Sequence, residues 1–121
     1  MSKDMKISFL LDFYGDMLTE KQHSMVDYYY NEDLSLAEIA ENEGITRQGV
    51  RDAIKRAEAL LLDMEERLSL AARFCSMRDQ LDTVRECAKS LREVNERNGR
   101  VPEIDELVGK INAAVDRMDE C

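Results

Sequence analysis

The chain has 121 residues, of which 44% are hydrophobic and 36% charged, with a formal net charge of −9. That length fits one domain or a small domain with an extension, and the apolar share excludes wholesale disorder. The acidic balance excludes a broad basic coat of the kind that wraps long nucleic acid.

The opening stretch MSKDMKISFLLDFYGDML mixes charges with a short apolar patch and has no small-residue cleavage site, so it is read as mature protein. Within it, Ile7, Leu10, Leu11, Tyr14 and Leu18 recur at helical spacing, and Phe9, Phe13 and Met17 widen the stripe. The pattern predicts an amphipathic helix over residues 7–18, weakened near its end by Gly15. Thr19 followed by Gln22 three residues on is a capping box. It starts a second helix to about Tyr30, with Met25, Val26, Tyr29 and Tyr30 on its buried side. Tyr28, Tyr29 and Tyr30 are expected to pack a corner, with a hydroxyl at its rim.

Ser35 and Glu38 form a second capping box, for a short helix ending at Glu43. Gly44 then supplies the left-handed conformation that closes a helix, and Thr46 caps the next one. The stripe Leu60, Leu61, Met64, Leu68, Leu70, Ala71 and Phe74 carries this helix into the low seventies, with a break near Cys75 where Ser76 and Asp79 offer a weak cap signal; the alternative is an uninterrupted helix. Met77, Leu81, Val84, Ala88 and Leu91 then form a heptad-like seam. Asn98-Gly99 stops it. Pro102 suits the first turn of a final helix, with Ile104, Leu107, Val108, Ile111, Val115 and Met118 on one side. No stretch alternates with period two, so no sheet is expected.

The segment LSLAEIAENEGITRQGVRDAIKRAE therefore reads as a helix-turn-helix. Ala40 is small where the helices approach, Gly44 makes the turn, Ile45 plugs the gap beneath it, and Val50 and Ile54 return the second helix to Leu36 and Ile39. In such a motif the start of the second helix faces base edges in the major groove. Thr46, Arg47, Gln48 and Arg51 occupy that start. Arg can bond guanine bidentately and Gln adenine; Thr46 can touch phosphate, and Lys55 reaches the backbone. Arg56 belongs to a flank. Charge supports a local reading only. Residues 1–45 carry three Lys, no Arg and ten acids, a net of −7, whereas residues 47–56 carry four basic residues and Asp52, a net of +3. The bland alternative is a solvated face, with Arg51 and Lys55 mildly repelling at i and i+4.

Nothing points to an enzyme or a cofactor. His23 is the only histidine and has no nearby Cys or second His to complete a metal site. Glu65 and Glu66 are adjacent and face different ways on a helix, Glu38, Glu41 and Glu43 lie on a short exposed helix, and Gly44 and Gly49 form no phosphate-cradling loop. Cys75, Cys87 and Cys121 are odd in number and fit no zinc spacing, so reduced thiols in a cytoplasmic protein are expected. No run of about 18 apolar residues is present, so no membrane insertion is expected.

The residues from Asp12 to Leu61 resemble the YlxM family of small bacterial helix-turn-helix proteins. The landmarks are Asp12-Phe13-Tyr14, Leu18 to Gln22, Tyr29-Tyr30, Leu34-Ser35-Leu36, Glu38 to Glu41, Arg47-Gln48 and Ile54-Lys55-Arg56. The corner also looks like the fourth region of bacterial sigma factors, which reads promoter DNA. The resemblance covers roughly the first 75 residues. It implies an all-helical, dimeric protein connected with the signal recognition particle pathway, whose genes neighbour those of the family. Two departures stand out: Arg51 replaces an expected aromatic residue, and the segment after about Cys75 matches poorly. The expectation is an all-α fold, with a helix-turn-helix domain over residues 1–74 and a helical extension over 75–121 for oligomerisation or packing. Its function is that of a regulator on double-stranded DNA or, alternatively, of a protein-interaction adaptor for signal recognition particle components.

Overall fold

The computed structural model describes residues 3–119, and every regular element among them is helical. The helices are α1 (Met5–Tyr14), α2 (Glu20–Tyr30), α3 (Leu36–Glu43), α4 (Arg47–Leu68), α5 (Leu70–Arg97) and α6 (Pro102–Asp119), with a single 3₁₀ turn at Gly15–Met17. The described residues fall into two compact units that divide between Ala72 and Arg73.

In the first unit α1, α2 and α3 all pack on α4. The reason lies in α4: Val50, Ile54, Ala57 and Leu61 recur at spacings of four, three and four, and all four are fully buried. Ile7, Leu10, Leu11 and Tyr14 of α1, Met25, Val26, Tyr29 and Tyr30 of α2, and Ile39 and Ala40 of α3 close around that stripe.

α1 is shorter than its apolar pattern suggests. Asp4 caps it by accepting from the Lys6 amide at 3.0 Å, and it gives way to the 3₁₀ turn at Gly15. Gly15 is buried, and a Cβ there would meet the His23 ring at 2.8 Å, so the glycine serves close packing of α1 on α2. Met17 and Phe9, expected to widen the stripe, are exposed instead, whereas Phe13 packs against the core.

Both capping boxes form reciprocally. Thr19 Oγ1 accepts from the Gln22 amide while Gln22 accepts from the Thr19 amide, and Ser35 and Glu38 repeat the exchange. Gly44 takes φ +68 and ψ +31, and the Ile45 amide then donates back to the Ala40 carbonyl at 3.2 Å. Ile45 does not plug the corner. Its side chain is 44% exposed, because Ile39 and Ala40 from one helix and Val50 and Ile54 from the other already fill the space beneath the turn.

The helix that follows the corner also ends earlier than expected. α4 stops at Leu68, Ser69 adopts φ +56, and α5 then runs without interruption through Cys75 and Ser76. A long-range clasp fixes the break. The Tyr14 hydroxyl donates to Glu65 Oε1 at 2.6 Å and accepts from the Leu70 amide at 3.1 Å. Glu65 Oε1 and Oε2 accept from the Ala71 and Ala72 amides, each at 3.0 Å. One carboxylate thus caps the start of α5.

The Tyr14 hydroxyl bond, more than any other contact, holds the Glu65 carboxyl below the usual glutamate range; partial burial opposes it, and the two amides reinforce it. A carboxyl whose folded value is depressed stabilises the fold above its unfolded value and loses that contribution as pH falls through the folded one. The urea midpoint of the wild type is therefore expected to drop on acidification below the ordinary glutamate range, and to drop less steeply in Glu65→Gln. Parallel acid profiles for the two proteins would contradict the clasp.

The second unit is an antiparallel hairpin of α5, from Arg73 onward, and α6. Leu81, Ala88 and Asn95 on α5 and Val108 and Val115 on α6 are buried at seven-residue spacing. Asn95 ties the turn together: it donates to the Val101 carbonyl and to Asp105, and accepts from the Val101 amide at 2.8 Å. Gly99 (φ +87) and Arg100 (φ +43) turn the chain in the left-handed region. At the far end Arg85 bonds Asp116 at 3.0 Å and Asp119 at 2.8 Å. Only part of the expected seam is buried, since Met77, Val84 and Leu91 are exposed. Cys75 and Cys87 are free and exposed; Cys121 lies outside the described residues.

Candidate nucleic-acid interface

The first turns of α4 bury one face in the core and present the other to solvent. Thr46 caps the helix with its hydroxyl oxygen, which accepts from the Gly49 amide at 3.0 Å. That fixes the rotation of the helix about its axis, because Val50 and Ile54 must then point inward. Thr46, Arg47, Gln48 and Arg51 are consequently all exposed. They line an open groove of about 810 Å³ whose opposite wall is Tyr29 and the start of α3 at Ser35, Leu36 and Ala37.

Lys55, one turn beyond Arg51, is exposed but is not part of the groove lining. Arg56 is turned elsewhere, to a shallow depression with Gln22, Ala59, Leu60 and Asp63. Four of the five polar positions singled out in the sequence are thus brought to one groove, and Lys55 lies outside it.

Two arginines share this face. Arg67, Arg78, Arg85 and Arg100 each pair with a carboxylate. Arg47 and Arg51, like Arg56, Arg73, Arg92 and Arg97, form no ion pair among the described residues, but these two stand together in one groove with their charges facing solvent. Gln48 is partly engaged: its Nε2 donates to Asp52 Oδ1 at 3.0 Å, which leaves its carbonyl oxygen and one N–H open. Two planar guanidinium forks and an amide on one exposed turn suit bidentate bonds to base edges or phosphates. Among the described residues no group of three His, Cys, Asp or Glu side chains is placed to hold a metal ion, and no helix is long and apolar enough to cross a membrane.

Two contributors to this face were not anticipated from sequence. Tyr29 is a core residue by exposure, at 7%, yet its edge forms part of the groove wall. Lys3 lies against the same ring, with Nζ 4.6 Å from the ring centroid and 2.9 Å from Asp33 Oδ1. Nothing in the local sequence around Lys3 signals this, because its partners lie 26 and 30 residues away.

A profile of the family described as "UPF0122: Putative helix-turn-helix protein, YlxM / p13 like" matches residues 1–100. The chain belongs to the UPF0122 family. Similar proteins include a UPF0122 protein of Shouchella clausii, 38% identical over 107 residues that span 88% of this chain and 98% of the relative. A UPF0122 protein of Clostridium kluyveri is 53% identical over 70 residues, covering 58% of this chain and 63% of the relative. The UPF0122 protein YlxM of Bacillus subtilis is 36% identical over 107 residues, covering 88% and 97%. UPF0122 similarity thus extends well past Cys75, farther than the landmark residues alone suggest, and takes in α5 and the hairpin turn.

Proposed function

We propose that this UPF0122 protein is a cytoplasmic regulator that sets the start of α4 against double-stranded DNA. The observation that carries the reading is the exposed turn Thr46–Arg51, held by the Gly44 corner and bearing two arginines without ion-pair partners. Arg47, Gln48 and Arg51 would contact bases or phosphates, Thr46 the adjacent phosphate, and Lys55 the backbone farther along. Such contacts release counterions, so affinity must fall steeply with salt. Titration of a labelled duplex at increasing salt tests this, and an unchanged affinity would refute it.

A second reading is favoured by the charge of the first 45 residues, a net of −7. An acidic surface of this kind suits docking on a basic protein, and the family resemblance points to signal recognition particle components. In this reading the chain acts as an adaptor in co-translational targeting. The two readings are compatible.

We further propose a homodimer built on the hairpin. Met77, Val84 and Leu91 on α5 and Leu107, Ile111 and Met118 on α6 are 39–57% exposed. Val84, Leu91 and Ile111 flank an apolar cleft of about 210 Å³. A hairpin with an apolar edge repeating at seven residues has the form of half a four-helix bundle, and a second copy of the hairpin completes it. Light scattering is expected to give about twice the 14.0 kDa of one chain, and Val84→Glu/Ile111→Glu about once. A wild-type mass of one chain across a wide concentration range would refute the dimer.

A further inference from the structure

The Lys3 ammonium is held by two different contacts, one of them to a residue of the groove wall. It rests over the Tyr29 ring at 4.6 Å, and it pairs with Asp33 at 2.9 Å. Tyr29 is itself part of the groove wall opposite Arg47 and Arg51. The lysine side chain is therefore partly packed and its head held on a residue of the groove wall. That spares much of the ordering cost a free surface lysine meets when it binds an anion.

The ion pair is the weaker of the two tethers in a competitive sense. The Asp33 side chain is 87% exposed, and an ion pair with so exposed a partner is screened and exchanges readily. A phosphodiester next to two unneutralised arginines competes well for the ammonium, whereas the ring contact can persist throughout. Asp33 also sits at φ +54, a conformation that asparagine adopts as readily as aspartate.

We infer that Lys3 is a further phosphate contact of the DNA-binding face, masked by Asp33 in the free protein and handed to the nucleic-acid backbone on binding. The inference rests on the DNA-binding reading. It adds to the α4 side of the groove a cation on the opposite side, supplied by the segment that precedes α1. A duplex seated on α4 would then be gripped from both walls, and Asp33 would set how much of that grip is available.

The test is a salt series of duplex binding with the full chain, comparing wild type, Lys3→Gln, Asp33→Asn, Arg51→Ala and the control Lys21→Gln. Lys21 is exposed and lies at the opposite end of α2 from Tyr29. Lys3→Gln is expected to lower the slope of log affinity against log salt by about one and to weaken binding several-fold at low salt. Asp33→Asn is expected to tighten binding about two- to fivefold, the competition from an exposed ion pair being removed. Lys21→Gln should leave the slope at its wild-type value. If Arg51→Ala weakens binding, with or without a change of slope, while Lys3→Gln and Lys21→Gln match each other, the Lys3 inference fails and the DNA reading stands. If the wild type shows no salt-dependent binding, both fail together. Circular dichroism of each variant separates these outcomes from loss of fold.

Discussion

Ile54→Ala is expected to destabilise the first unit by about 2–5 kcal/mol, the range for truncating a fully buried isoleucine. Ile54 is 0% exposed on α4, the helix on which α1, α2 and α3 all pack. Removing three carbons there leaves a cavity that no single neighbour can fill, since its surroundings are contributed by separate helices. A unit of this size has a total stability of only about 4–11 kcal/mol. Its melting temperature should therefore fall by about 10 °C or more. Urea unfolding followed by circular dichroism reads the change directly. A loss under about 1 kcal/mol would mean that the site collapses freely and that α4 is not the hub described.

The double variant Arg47→Ala/Arg51→Ala is expected to weaken binding to a preferred duplex by about 100-fold or more, because each bidentate arginine–guanine contact is worth about 1–3 kcal/mol. Both side chains are exposed and form no ion pair among the described residues, so unfolding should change by less than about 0.5 kcal/mol. The salt slope separates two modes of contact. If the arginines touch phosphates, the slope falls by about two and all sequences weaken alike; if they touch bases, the slope holds and discrimination between sequences is lost. Fluorescence anisotropy with a preferred and a scrambled duplex measures both. Binding equal to the wild type on every duplex would remove α4 from the interface.

What was legible in the sequence was local. Thr19 with Gln22, and Ser35 with Glu38, announce helix starts because cap and partner are three residues apart. Gly44 announces the corner because few other residues reach φ +68 without strain. Once the corner and the inward side of α4 are set, the exposure of Arg47, Gln48 and Arg51 follows from helical geometry. Other features depend on distant residues and leave no local trace. The α4–α5 break falls at Ser69 because Tyr14, 51 residues before Glu65, joins that carboxylate at the start of α5. The weaker local signal at Ser76 and Asp79 loses to that clasp. Ile45 looks like a plug by composition, but residues from both helices occupy the space first. Tyr29 reads correctly as core, yet its role as a groove wall, with Lys3 upon it, exists only after α2 and α3 have packed.

The proposed function depends on nucleic acid docking at the exposed start of α4. Amide chemical shifts of the full chain, followed through a titration with a short duplex, test this most directly. The largest changes are predicted at Thr46 to Lys55 and on the facing wall at Tyr29 and Ser35 to Ala37, with residues 73–119 little affected. Shifts confined to the α5–α6 hairpin, or no shifts at duplex concentrations that saturate other helix-turn-helix proteins, would contradict it.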